Sequence, residues 1–255
     1  MKRIFLKVLS IFSKRMQTDF LGSKYGGWYF VDKQSLSKSW VISSGVGTDI
    51  SFDIELMEKY QTKIIFVDPT PEAISHLNLV LSSLGSVKSS DYVEGGEQII
   101  SSYELVNLDK NNFLIEKKAL YHTDNKTLKF YKPKNVNHVS HSISNWQNNY
   151  SRSTPFIKVS TINISAILKK YKIPKVEILK LDIEGAEYSV LLNMIKNKIY
   201  PNQILVEFDE LQTKRIVKYI RYLYLIMRLM KNYYIVETDS YPNYLLISKN
   251  NNSDI

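Results

Sequence analysis

A chain of 255 residues is long enough to bury one substantial core without disulfides or metals. It contains no cysteine, which excludes disulfides, thiolate chemistry and cysteine-bound metal and fits a cytoplasmic setting. Lys and Arg outnumber Asp and Glu by 34 to 25, a formal net charge of +9. The lysines are scattered, with no compact basic stripe interleaved with aromatics, so a solvated basic surface is expected and nucleic acid is not an expected partner.

The opening residues MKRIFLKVLSIFSKRM read as a basic amphipathic helix, with Phe5, Val8, Leu9 and Phe12 on one face and Arg3, Lys7, Ser10 and Lys14 on the other. The apolar stretch is too short and too charged to span a bilayer. It also lacks the core and cleavage site of a signal peptide. Residues 1–21 are taken as this basic amphipathic N-terminal helix, and residues 1–16 as a segment that either packs on the domain or lies on a membrane surface, the inner membrane in a cytoplasmic setting.

The next stretch, LGSKYGGWYFVDKQSLSKSW, is turn-rich and aromatic, and reads as a loop with a partial strand; Tyr25, Trp28 and Tyr29 are candidates for stacking on a sugar face. WVISSGVGTDISFDIELMEKY then gives strand, glycine turn and helix, and KIIFVDPTPEAISHLNLVLSSLG repeats that order. Residues 86–112 read as loops. FLIEKKALY is expected to be a third, central strand, and TLKFYKP a short strand at the sheet edge. Residues 134–155, with His138, His141 and Trp146, have the composition of a substrate loop.

Periodicity resumes in STINISAILKKY, VEILKLDIEGAEYSVLLNMI and QILVEFDEL. RIVKYIRYLYLIMRLMKNY predicts a long helix with a wide apolar side, and YYIVET with NYLLISK an antiparallel finish. Strands alternating with helices predict an α/β, doubly wound, mostly parallel sheet with an antiparallel C-terminal strand.

Two features point to a nucleoside-bearing cofactor. Gly45 and Gly47 follow a strand and open a helix, where a bare backbone can turn tightly and approach a ligand. Asp68 ends the next strand about 20 residues later, where a carboxylate can accept from ribose hydroxyls. This pair suits NAD and S-adenosylmethionine alike. Ile50 stands where a dinucleotide fingerprint has its third glycine, which weighs against a pyrophosphate. Asp68 also has a local reading, as acceptor for turn amides before Pro69.

A third feature is LKLDIEGAEY. Asp182 ends an apolar strand, Glu184 enters the turn and Gly185 allows a sharp bend, while Glu187 is spaced to share a side of the following helix with Glu184. Acids at a helix start also favour its dipole. Around a sheet crevice they can steady a sulfonium cation, orient a hydroxyl or bind a divalent ion such as Mg²⁺ through Asp182, Glu184 and Glu207.

In this order the segments resemble the FkbM family of S-adenosylmethionine-dependent methyltransferases, through Asp182, Glu184, Gly185 and Glu187 of KLDIEGAEY and through SSGVGTDISFD, FVDPTPEAI and HVSHSI. The resemblance implies a class I methyltransferase (Rossmann-like) domain over residues 22–255 and S-adenosylmethionine as cofactor. It implies O-methylation of an acceptor hydroxyl, often on a saccharide or other small molecule. Gly45, Gly47, Asp68 and Ala119 then make up the cofactor side, and Asp182, Glu184, Glu207 and His141 the catalytic side. Related chains carry a histidine after the fifth strand where this one has Phe208-Asp209. The base is therefore expected from His141, His138 or Asp209. A nucleotide-cofactor oxidoreductase and a non-catalytic binding or membrane-surface protein are the competing readings.

Overall fold

The computed structural model describes residues 11–133, 141–143, 145, 151–208, 211, 216–238 and 242–250. His138, Trp146, Asp209 and residues 1–10 of the N-terminal segment lie outside them. The strands are β1 (Ser13–Lys14), β2 (Asp19–Leu21), β3 (Trp28–Phe30), β4 (Trp40–Ser44), β5 (Lys63–Val67), β6 (Phe113–Glu116), β7 (Ala119–Leu120), β8 (Thr127–Tyr131), β9 (Phe156–Ile162), β10 (Ile178–Leu181), β11 (Gln203–Glu207), β12 (Tyr233–Val236) and β13 (Asn243–Ser248). The helices are α1 (Ser51–Tyr60), α2 (Pro71–Ser82), α3 (Ile164–Tyr171), α4 (Glu187–Lys196) and α5 (Ile216–Leu229).

Local chemistry sets several boundaries. Pro71 opens α2, where its missing N–H costs nothing. Asn163 caps α3 by accepting from the Ala166 amide at 2.8 Å. Gln61 and Lys172, with φ near +55°, end α1 and α3 in the left-handed region.

The main sheet has the order β1-β12-β13-β11-β10-β4-β5-β6. Strand β13 is antiparallel to β11 and β12, and the other adjacent pairs are parallel. Side chains alternate between two core clusters. Val41, Ile64, Phe66, Ile178 and Leu205 pack with α1 and α2, while Ile42, Ile65, Leu179, Ile204 and Val206 pack with α3, α4 and α5. The domain is therefore a mixed α/β structure with a large sheet between helices.

The chain moves outward from β4 through β5 to β6, then returns to lay β10 on the free side of β4. This puts Phe113–Glu116 at the sheet edge, not at its centre as expected. The run also breaks at Lys117-Lys118, and Ala119–Leu120 pair instead with β9 in a separate three-stranded sheet, β7-β9-β8. That small sheet stands beside the crevice and carries TLKFY as its hairpin partner to β9.

The N-terminal helix cannot extend through residue 21. Ser13 and Lys14 pair in parallel with Ile235 and Val236, and Asp19–Leu21 pair with Trp28–Phe30. The open edge of β12 offers unpaired backbone groups, and satisfying them outweighs helical periodicity in so short a segment.

Candidate functional site

A cavity of about 770 Å³ opens at the carboxyl ends of β4, β5, β10 and β11. It lies where the order of strand addition reverses between β4 and β10, the place where open α/β sheets bind ligands. Its wall includes Gly45, Gly47, Asp68 and Ala119, and also His141, Asp182, Glu184 and Glu207. All eight positions singled out in the sequence thus border one space.

The glycine turn follows from close approach. Gly45 (φ +73°) faces the Asp182 backbone with no room for a side chain, and Gly47 (φ +58°) also lies in the left-handed region. Ile50, in place of a third glycine, is fully buried in the core beside α1. Asp68 serves its own neighbourhood: Oδ2 accepts from the amides of Val46 at 2.8 Å and Gly47 at 3.4 Å. Its Oδ1 accepts from the Thr70 amide at 2.8 Å and the Thr70 hydroxyl at 2.7 Å. The local reading of Asp68 is therefore realised, and it ties the glycine turn to the end of β5.

The acids of LKLDIEGAEY divide. Asp182 sits at the exit of β10, and burial pushes its carboxyl above the usual range; Lys180 opposes that shift and Asp68 adds to it. Glu184 takes a left-handed conformation (φ +51°) and borders the cavity. Glu187 does not share its side. Helix α4 starts only at Glu187, which turns inward and accepts from the Gly185 amide at 3.1 Å and the Ile183 amide at 3.2 Å. Fully buried, its carboxyl is pushed up to about 8. It holds the acidic turn in shape from beneath.

His141 is buried rather than exposed, on the cavity wall. Its neighbour Ser142 fixes it there: Ser142 exchanges backbone hydrogen bonds with Tyr131, and its hydroxyl donates to the Glu184 carbonyl at 2.7 Å. Among the described residues no group of three or more His, Asp or Glu is arranged to hold a metal ion. Asp182, Glu184 and Glu207 border the same cavity without forming such a cluster.

Two participants, Asp49 and Lys180, escaped sequence reasoning. Asp49, two residues past Gly47, accepts from the Ser23 hydroxyl at 2.6 Å, the Ser51 amide at 3.0 Å and Gln98 Nε2 at 3.1 Å. It binds the β2–β3 loop and the loop around Gly96 to the helix start. Lys180, inside an apolar strand, places Nζ 3.5 Å from Asp53 Oδ2 and 5.8 Å from the Trp28 ring centre. Tyr25 lies against Gly96, and its phenol is pushed up first by burial, then by Asp182, Glu207, Glu184 and Asp49. Trp28 is buried on the cavity wall, whereas Tyr29 packs away from it on Phe20 with ring centres 5.0 Å apart. A lone acid after a glycine turn is a detectable signal; a lysine flanked by leucines is another.

The cavity is acidic in a basic protein. Asp49, Asp68, Glu97, Asp182, Glu184 and Glu207 border it, against Lys24 and Lys180. Such a field favours a cationic ligand and disfavours a pyrophosphate. The methyltransferase FkbM domain matches residues 45–233, starting at the glycine turn and covering β4's exit through the start of β12. The chain belongs to the FkbM methyltransferase family. It is accordingly an S-adenosylmethionine-dependent methyltransferase. No curated protein and no solved structure matches the chain.

Proposed function

We propose that this FkbM-family enzyme methylates a hydroxyl oxygen of an uncharged acceptor, with a saccharide as the leading class, on a class I doubly wound scaffold. The observation that carries the reading is the acidic cavity at the β4/β10 reversal, where a glycine turn, carboxylates and a buried histidine share one wall. Strand order and the antiparallel β13 support the scaffold assignment.

The cavity fits the cofactor in size and charge: its volume falls within the range of small-molecule sites, and its carboxylates complement a sulfonium. When bound, S-adenosylmethionine supplies an activated methyl group. Gly45 and Gly47 would admit it to the backbone. Asp68 would meet the ribose hydroxyls by yielding its longest contact, the 3.4 Å one to Gly47. Ala119, small and buried at the wall, leaves room for a flat ring.

On the acceptor side, Glu184 and Glu207, both bordering the cavity, would orient hydroxyl groups. Asp182 joins the two halves, because its backbone meets Gly45 and the residue borders the cavity. A neutral hydroxyl must lose its proton as the new carbon–oxygen bond forms, and His141 is assigned as the acceptor of that proton. Alignment of the oxygen with the methyl–sulfur bond supplies much of the rate. The exposed Tyr25 ring at the rim suits a sugar face.

Calorimetric titration with S-adenosylmethionine, with NAD as control and Asp68→Ala in parallel, tests the cofactor half. Transfer of labelled methyl to a panel of neutral and acidic saccharides tests the acceptor half. Tight binding of NAD, or transfer only to carboxylated or nitrogen acceptors, would overturn the reading.

A further inference from the structure

Helix α5 carries apolar residues on its outward side as well as on its inward one. Tyr219, Tyr222, Leu225, Ile226 and Leu229 are buried in the core shared with α4. Ile216, Val217, Ile220, Tyr224 and Met227 point outward, each between 44% and 68% exposed. At 3.6 residues per turn, Val217, Ile220, Tyr224 and Met227 fall within roughly one third of the helix circumference. Arg221 and Arg228 occupy the same arc, and Arg228 donates to the Tyr224 hydroxyl at 2.9 Å. A solvated helix normally shows charge where this one shows an apolar stripe.

The charges along this stretch of the sequence have one sign. From Leu211 to Val236 the sequence carries Lys214, Arg215, Lys218, Arg221, Arg228 and Lys231 and no Asp or Glu. Docking a second copy through this face would set cations against the same cations. An anionic lipid surface instead receives the apolar side chains among its acyl chains and the cations among its headgroups. The helix has only 14 residues, and no helix among the described residues is long and apolar enough to cross a membrane.

We infer that the outward face of α5 is a membrane-surface element that seats the protein on anionic lipid, Val217, Ile220, Tyr224 and Met227 entering the interface and Arg221 and Arg228 meeting the headgroups. The element is a different stretch of the sequence from residues 1–16, and none of its residues lines the cavity. It stays linked to the site through Phe208, which follows Glu207 and packs on Tyr222 with ring centres 4.9 Å apart.

The test is co-sedimentation of the full chain with vesicles of phosphatidylcholine alone and of an equal mixture with phosphatidylglycerol. Binding is expected only to the anionic vesicles and should fall as salt rises. Ile220→Glu with Tyr224→Glu should reduce partitioning by about tenfold or more, with unchanged circular dichroism. Arg221→Gln with Arg228→Gln, which leaves the apolar stripe intact, should reduce it by about tenfold. Absence of wild-type binding to anionic vesicles would overturn the inference. So would binding that survives both variants but is lost on removing residues 1–12, or a lipid-free dimer that the paired glutamates dissociate.

Discussion

The carbonyl oxygen of Asp182 lies 1.5 Å from the point where a Cβ on Gly45 would stand. The glycine turn after β4 and the acidic turn after β10 are therefore one packed unit. Gly45→Ala must push the two strand ends apart, and the positive φ adds its own strain. A loss of about 3 kcal/mol in chemical denaturation is expected, together with loss of S-adenosylmethionine binding in calorimetry. Binding at wild-type affinity would show that the close approach is dispensable.

Glu187 gives the domain a pH dependence of defined sign. Its folded-state value of about 8 exceeds the ordinary carboxylate value, so the folded protein holds a proton that the unfolded chain releases. The associated stability is fully present below about pH 4.5 and is lost as pH rises through about 8. Asp182, also pushed up by burial, acts in the same direction. Glu187→Gln should flatten the slope of stability against pH across that window, a slope of up to about 1.4 kcal/mol per pH unit for one group. Urea melts at intervals from pH 5 to pH 8 would detect it.

Lys180 and Asp53 form a buried ion pair, with side chains 3% and 0% exposed. Asp53 Oδ1 has no hydrogen-bond partner. Lys180→Met leaves an uncompensated carboxylate and should cost about 3 kcal/mol or more. Lys180→Met with Asp53→Asn should recover much of that cost, since the stranded charge is gone. A double-mutant cycle with no coupling would remove the pair from the account of stability.

Asp49 joins two cavity loops at one carboxylate. Asp49→Asn turns an acceptor into a donor opposite Ser23 and Gln98. The expected loss is about 1–3 kcal/mol, concentrated as faster amide exchange in residues 22–27 and 93–98. Uniformly faster exchange over the whole domain would contradict this local role.

His141→Ala should lower turnover by at least about 10²-fold while cofactor affinity stays at the wild-type level. Initial rates and calorimetry on the same sample separate the two. Unchanged turnover across pH would remove His141 from proton transfer.

Much of the architecture was legible because buried parallel strands read as apolar runs, as in KIIFV and EILKL, each followed by a turn and a helix. Gly45, Asp68, Asp182 and Glu207 were legible for the same reason, standing at or just past the end of such a run; the site roles of His141 and Ala119 came from the resemblance alone. Strands β1 and β2 were not, being two and three residues long and defined by partners far along the chain. FLIE carries a strand pattern, but nothing in it tells a central from an edge position. That depends on where the chain returns. Glu184 and Glu187 share helical spacing, yet a left-handed residue before the helix start separates them. Lys180 was hidden because its partner Asp53 comes from a helix far away along the chain.

Strands β4 and β10 lie side by side in the sheet, although two further strands of the main sheet and the whole three-stranded sheet separate them along the chain. Contacts between such distant segments are made late, after the cost of closing the intervening loop has been met. The floor of the cavity thus comes into being only when the sheet is nearly complete. A ligand held there should leave the folding rate almost unchanged and slow unfolding, so that loading the site lengthens the lifetime of the finished fold.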